Sequence, residues 1–406
     1  MEHGEKGQSR RELLRLLRWA PILALADVVE MASASRESDA SAANVSLGTP
    51  SVPKASAIPI PLVLSFSAAL DGELEPCGCP GGALGGLSRR LTLLKRWKAE
   101  QPNLVVLDAG NALLKTDLER RSFDKMQQAH ALRMGRLLIK LGIQGMAVGE
   151  RDLAGAGLQG LQQLAREGLP LLSANLVDAQ GKRYFPASRV VEVGGLRVAV
   201  VGVTAASQGV LKEGSQLLPP IPAVLETLKP LRGKVDLTVL LSTLLPEDHE
   251  PFQSLEPELD LILTGIGVEG RAQLKGAQVP YVVSCPAEGR YLTRLDFLIT
   301  PGAARPLKTS AEMERRIRSI QASQRALEDF AQQIIEEEGR LNPVRLEKDS
   351  QFLKERLATL KTLSPLPSGT RLMAFSSVPL EERIPEDPAM RASIQAGAAS
   401  GVSQRP

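Results

Sequence analysis

The chain has 406 residues, enough for a full-sized core and a second unit. Its 49 basic and 46 acidic residues leave a net charge of +3, and only 3% of residues are aromatic. A basic nucleic-acid face and a stacking platform for bases are therefore not expected. With three histidines, His3, His130 and His249, a multi-histidine metal centre is restricted from the outset.

At the N-terminus, Arg10-Arg11 precede an apolar stretch from Trp19 to Val29, and Ala32 to Ala34 offer a small-residue cleavage site. The pattern is similar to a twin-arginine signal over residues 1–34 and implies export to a bacterial periplasm. Asp27 and Glu30 favour the other reading, an amphipathic helix in the cytoplasm. The stretch is too short to span a bilayer. Residues 35–60 are rich in Ser, Ala and Pro and read as a flexible linker.

The pattern changes at Pro61. Leu62–Ser67 is a buried-strand run, and Leu87, Leu91, Leu94 and Trp97 have helical spacing. "LVVLDAG" is a strand ending at Asp108, residues 123–141 a helix, and "QGMAVGERD" a strand running into a loop. A helix over residues 158–167 and the strand "LPLLSAN" follow. "VVEVGGLRVAVVGV" is a hairpin turning at Gly194-Gly195. A helix near residues 223–231 leads to strands at "VDLTVLLS", residues 259–263, residues 279–284 and "RYLTRLDFLI". Strands alternating with helices predict an α/β domain over residues 61–305, with a layered, mixed sheet and its chemistry in loops beyond the strand ends. Over residues 306–396, apolar positions stepping by three and four predict a C-terminal helical hairpin, a packing element or a surface for a protein partner, then the returning strand "TRLMAFSSVPL". Residues 397–406 read as a disordered tail.

Those loops, in that order, resemble the calcineurin-like metallophosphoesterases, above all the N-terminal domain of bacterial 5′-nucleotidases and UDP-sugar hydrolases. The likeness runs over roughly residues 61–300. It rests on "GGLSRRLTLLKRWKAEQPNLVVLDAGN", "LSANLVDAQGKRYFPASRVVEVGGLRVAVVGVT", "VDLTVLLS" and "ELDLILTG". "LEPCGCPGGALGGLSRR" is similar to a subgroup of exported bacterial proteins, some with selenocysteine at a cysteine position.

The resemblance implies two metals held by Asp, His and Asn, activating a water against a phosphate. The matching positions depart from that set. The Asp-x-His pair is Ala69 and Asp71, and the last position of "DAGD" is Asn111. "GNHE" reads Gly149-Glu150-Arg151-Asp152, so Glu150 stands for the ligand Asn and Arg151 for the catalytic His. Thr243 replaces the His of "LSH", and Ile266 and Val268 replace those of "GGHxH". The expectation is a degenerate, non-hydrolytic site with no resident cofactor. Its alternative is a divergent phosphohydrolase whose Asp71, Asn111, Glu150 and Asp152 hold a hard cation such as Mg²⁺ or Ca²⁺. Arg151 suits a phosphate or carboxylate ligand. His249, on an acidic stretch, reads as a solvated surface residue, and His130 as structural.

Cys77-Gly78-Cys79 survives where the metal ligands do not. A thiol pair in a glycine-rich loop points to redox exchange or soft-metal capture, or is an inherited loop without chemistry. Cys285 ends a strand on the site side and is a candidate resolving or third thiol.

Overall fold

The computed structural model describes residues 59–77, 83–115, 125–207, 209–255, 258–265, 273–275, 280–303, 307–309 and 371–400. The export signal, the linker up to residue 58, the helical hairpin at 310–370, Cys79, Ile266 and Val268 lie outside them. The chain divides into two units. The larger takes in Leu62–Phe297, Gly302–Lys308 and Phe375–Pro406 and carries every residue of the candidate site and of the cleft described below. Of the smaller, the described residues are the strand ends at 59–61, 298–301, 309 and 371–374.

Parallel strands β1 (Ile60–Ser67), β2 (Leu104–Asp108), β3 (Gly145–Ala147) and β4 (Leu171–Leu172) lie side by side. β13 (Tyr291–Ile299), β15 (Arg371–Pro379) and β14 (Lys308–Thr309) extend the sheet in the order β14-β15-β13-β1-β2-β3-β4. β1 shows why these runs read as unbroken apolar sequence. Leu62, Leu64 and Phe66 are buried on one face and Val63 on the other, because both faces are covered. Helices α1 (Leu87–Glu100), α2 (Lys125–Lys140) and α3 (Glu150–Glu167) cover the Val63 side, where Leu94, Trp97, Met134, Leu138 and Leu161 share one core with Val63 and Met146.

The second sheet is built on the predicted hairpin. β6 (Ser188–Val193) and β7 (Leu196–Val203) pair antiparallel, and Gly194 and Gly195 turn between them at φ 57° and 85°. Both angles are left-handed, as a two-residue primed turn requires. β7 then runs parallel to β9 (Leu237–Ser242), β9 to β10 (Leu261–Thr264) and β10 to β12 (Tyr281–Ser284), with β11 (Gln273–Lys275) antiparallel at the edge. β5 (Leu176–Val177) and β8 (Gln216–Leu217) form a small separate pair. The two main sheets pack face to face through β2, β3 and β4 against β6, β7 and β9. α4 (Pro220–Leu228) covers the second sheet with Val224 and Leu228 on Val201, Leu240 and Ile262. This is the layered, mixed-sheet α/β architecture that the sequence predicts.

Two elements differ from the sequence reading. α3 begins at Glu150, eight residues before the predicted start, so Glu150, Arg151 and Asp152 form its first turn rather than a loop. Gly157, at φ 66° and ψ 162°, breaks the helix and its apolar period, which hides the first half from pattern reading. A C-terminal helix, α5 (Pro388–Ser400), passes through residues 397–400, which composition assigns to a disordered tail. It forms because Met390 and Ile394 enter the core beside α1 and α2, and Asp387 accepts from Met390 N and pairs with Lys95 at 2.5 Å.

Candidate functional site

The loops after β1 and β2 run alongside one another at the carboxyl ends of their strands. Ala69 N donates to Gly110 O at 2.8 Å, Asp71 N to Asn111 O at 3.3 Å and Gly72 N to Ala112 O at 2.9 Å. Ala69, Asp71 and Asn111 all have left-handed backbones, at φ 47°, 54° and 57°. Such a conformation costs a residue with a Cβ roughly 1–2 kcal/mol, and local contacts must hold it. Three such residues in two adjacent loops mark a place where geometry prevails over local preference.

The first turn of α3 closes against those loops. Asp152 is fully buried and accepts four backbone N–H groups: Asn111 at 2.8 Å, Ala112 at 2.8 Å, Leu113 at 2.9 Å and Gly149 at 2.9 Å. Burial nevertheless pushes its carboxyl up to about 6, against the pull of those bonds. Asp108, equally buried at the end of β2, accepts from Ser67 Oγ at 2.7 Å and Gly110 N at 2.8 Å. Burial pushes it up to about 7, and the nearby Asp152 adds to the rise.

Of Asp71, Asn111, Glu150 and Asp152, the structure brings Asp71, Asn111 and Asp152 together with Arg151. The Arg151 guanidinium donates to the Asp71 carboxylate, and Arg151 N donates to Asn111 Oδ1 at 3.0 Å. Burial raises the Asp71 carboxyl above its ordinary value, while Arg151 and then Lys115 pull it back. Glu150 turns away, accepting from Ser207 N at 2.8 Å. Thr243 stands beside Gly110, accepting from Ala205 N at 2.9 Å through its hydroxyl. Each of these side chains already has a protein donor on at least one oxygen. Among the described residues, no three His, Cys, Asp or Glu side chains converge as a metal-binding group.

Both described histidines are structural. His249 is buried, with Nε2 at 2.9 Å from Ser242 Oγ, which corrects the expectation of a solvated residue. It lies on a short 3-10 helix, Pro246–Leu255, whose acidic residues face outward while the ring turns in. His130 Nε2 donates to Gly72 O at 2.9 Å and steadies the Asp71 loop.

Cys77 is half-buried at the foot of its loop, where its N donates to Leu84 O at 2.9 Å and Pro76 bridges Gly85. Gly85 N donates in turn to Leu380 O at 2.9 Å, and Ala83 N to Glu382 Oε1 at 3.2 Å. Cys285 follows β12 on the site side, but it is 1% exposed, and burial pushes its thiol up. A buried, protonated thiol does not suit the resolving role expected of it.

Three charged residues at this site escape a motif search. Lys115 Nζ pairs with Glu288 Oε1 at 2.7 Å, and Arg290 pairs with the same carboxylate, holding it below the usual range. Glu288 also has a left-handed backbone, φ 61°, and its N donates to Ala69 O at 2.7 Å. The turn sequence "AEGR" is the only local signal of that bend.

Searched by sequence, the chain matches no family model and no curated protein. Solved structures do match. A 5′-nucleotidase precursor from Thermus thermophilus aligns at 17% identity and TM-score 0.56, over 84% of this chain and 59% of that one. The sulfate thiohydrolase SoxB of the same organism aligns at 16% and 0.56, over 86% and 62%. The calcineurin-like phosphoesterase YfkN of Bacillus subtilis aligns at 12% and 0.52, over 84% and 98%. The chain has the metallophosphoesterase fold. The loops of Asp71 and Asn111 and the first turn of α3, which carries Arg151, lie at the carboxyl ends of its strands. The chain spans less than two thirds of the nucleotidase precursor and of SoxB.

Proposed function

We propose that this chain is a non-hydrolytic binding or accessory protein on the metallophosphoesterase fold, in which an internal ion pair takes the place of two metals. The observation that carries this reading is the Asp71–Arg151 pair, with Asn111 Oδ1 spent on the backbone of the same arginine. A di-metal centre needs anionic oxygens and imidazoles aimed at a shared point. Here Asp71 faces a guanidinium, Asp152 is consumed by four N–H groups, and Glu150 points to Ser207. The residues present do not fit two cations, because a fixed positive charge already sits among the donors.

The same arrangement suits an anion. Arg151, Lys115 and Arg290 are three cations set against two carboxylates, Asp71 and Glu288. Arg151 is partly exposed, and its planar fork matches a phosphate or carboxylate. In this reading the protein works in an exported, oxidising compartment, and the Cys77-Gly78-Cys79 loop is its redox-reactive feature. The backbone bonds of Pro76 and Cys77 to Gly85 and Leu84, which fix the residues flanking this thiol pair, support that reading.

The test assays purified protein for Mn²⁺- or Zn²⁺-stimulated hydrolysis of nucleotides and simple phosphate esters, with elemental analysis of the same sample. The expected result is no turnover, with saturable binding of inorganic phosphate that Arg151→Ala abolishes. Metal-dependent turnover that disappears in Asp71→Ala or Asn111→Ala overturns the proposal in favour of a divergent phosphohydrolase.

A further inference from the structure

Away from this site, the break in α3 opens a cleft. Gly157 has φ 66° and ψ 162°, a region essentially closed to residues with a Cβ. The helical ladder is interrupted there, and Gln128 Nε2 donates to Ala156 O at 3.2 Å. The cleft holds about 300 Å³, at the lower end of the roughly 300–1,000 Å³ of small-molecule pockets. Leu153, Leu158, Leu176, Val210 and Leu211 supply its apolar walls. Its loop wall is held at both ends. Ser207 N donates to Glu150 Oε1 at 2.8 Å, and the Ser215 and Tyr184 hydroxyls bond at 3.0 Å. Ser215 N also donates to Lys212 O at 2.8 Å, which fixes the turn that carries Lys212.

Lys212 is the one charged residue in the lining. It is exposed, and no ion pair of the described residues involves it. Gln128, Gln159 and Ser215 add polar groups to the lining, and a part-apolar slot with a single cation at its rim is complementary to a small amphipathic anion: burial of the body drives binding, and the cation fixes its orientation. We propose that this cleft binds a small aliphatic carboxylate, its chain against Leu153, Leu158 and Leu211 and its carboxylate at Lys212. This rests on the cleft alone and is independent of the anion reading at Arg151.

The probe is octanoate, titrated into the full chain by calorimetry, with octanol as the neutral comparison. Saturable octanoate binding is expected, weakened about tenfold in Lys212→Ala, as for loss of a charge-assisted contact. Leu158→Trp, which fills the slot, should abolish it. Lys212 is exposed, so its variant keeps the fold. The proposal is overturned if octanoate does not saturate, if octanol binds equally well, or if Lys212→Ala or Leu158→Trp binds octanoate as the unaltered chain does.

Discussion

The Arg151 guanidinium pairs with the Asp71 carboxylate, 80 residues earlier in the chain, and joins the first turn of α3 to the loop after β1. Asp71 is almost wholly buried while Arg151 is about one-third exposed, so the pair is a buried acid capped by a partly solvated cation. Arg151→Ala should destabilise the protein by about 1–2 kcal/mol at pH 7, less than a fully buried pair because solvent screens the guanidinium. The carboxyl of Asp71 is already raised by burial, so the deficit should shrink at acid pH, where it protonates. Asp71→Asn in the Arg151→Ala background should recover most of the loss. Urea unfolding of the unaltered chain and the two variants at pH 5 and pH 7.5 measures this, and an equal deficit at both pH values would contradict it.

Asp108 and Asp152 set the pH dependence. Their folded carboxyls are raised to about 7 and about 6, against 3.8 for an unperturbed Asp. A raised folded value means that the folded state binds protons more tightly than the unfolded chain. The stability this contributes is fully present below about pH 4 and is lost as pH rises through 6 to 7. The lowered acids, Glu167, Glu288 and Asp387, act in the opposite sense, but at lower pH. The urea midpoint should therefore fall between pH 5 and pH 8, and Asp108→Asn should flatten that fall. A midpoint that rises over this interval would count against it.

Asp152 ties two loops to a helix through four N–H bonds. Asp152→Ala leaves those donors buried without an acceptor and should cost about 3–5 kcal/mol, enough to threaten folding. Asp152→Asn keeps an acceptor oxygen and should cost less. Hydrogen exchange at Asn111, Ala112 and Leu113 reads the effect locally: in Asp152→Asn the amides on the side that becomes NH2, either Asn111 or the Ala112–Leu113 pair, should lose protection.

The cysteines should divide by accessibility. Cys77 and Cys79 should alkylate readily in the native, mildly reduced protein and resist after oxidation, without dimer formation. Cys285, buried beneath the site loops, should react only on unfolding. Mass spectrometry of labelled peptides separates the three. Unreactive Cys77 and Cys79 would leave the loop as a structural inheritance.

Replacing Arg10-Arg11 with Lys-Lys should retain the protein in the cytoplasm if the twin-arginine route carries it. Unchanged cell fractionation would exclude that route.

The sequence alone determined the longer strands and the hairpin. Runs such as Leu62–Ser67 and Leu237–Ser242 are buried on both faces, and burial leaves a continuous apolar signature. Gly194-Gly195 marked its turn because few other residues accept two left-handed angles in a row. The altered motif positions Asp71, Asn111 and Arg151 were also legible, since each is a matter of residue type. What each one binds was decided only by tertiary structure. Asp71 meets Arg151 and Asp152 meets the Asn111 loop across gaps of 80 and 41 residues, and no local period records such a partner. His249 was misplaced for the same reason: its acidic neighbours predict exposure, yet a bond to Ser242 and the packing around it turn the ring inward. The first half of α3 stayed hidden because Gly157 interrupts its period, and helix there is sustained by Asp152 and by the sheet beneath it rather than by local propensity.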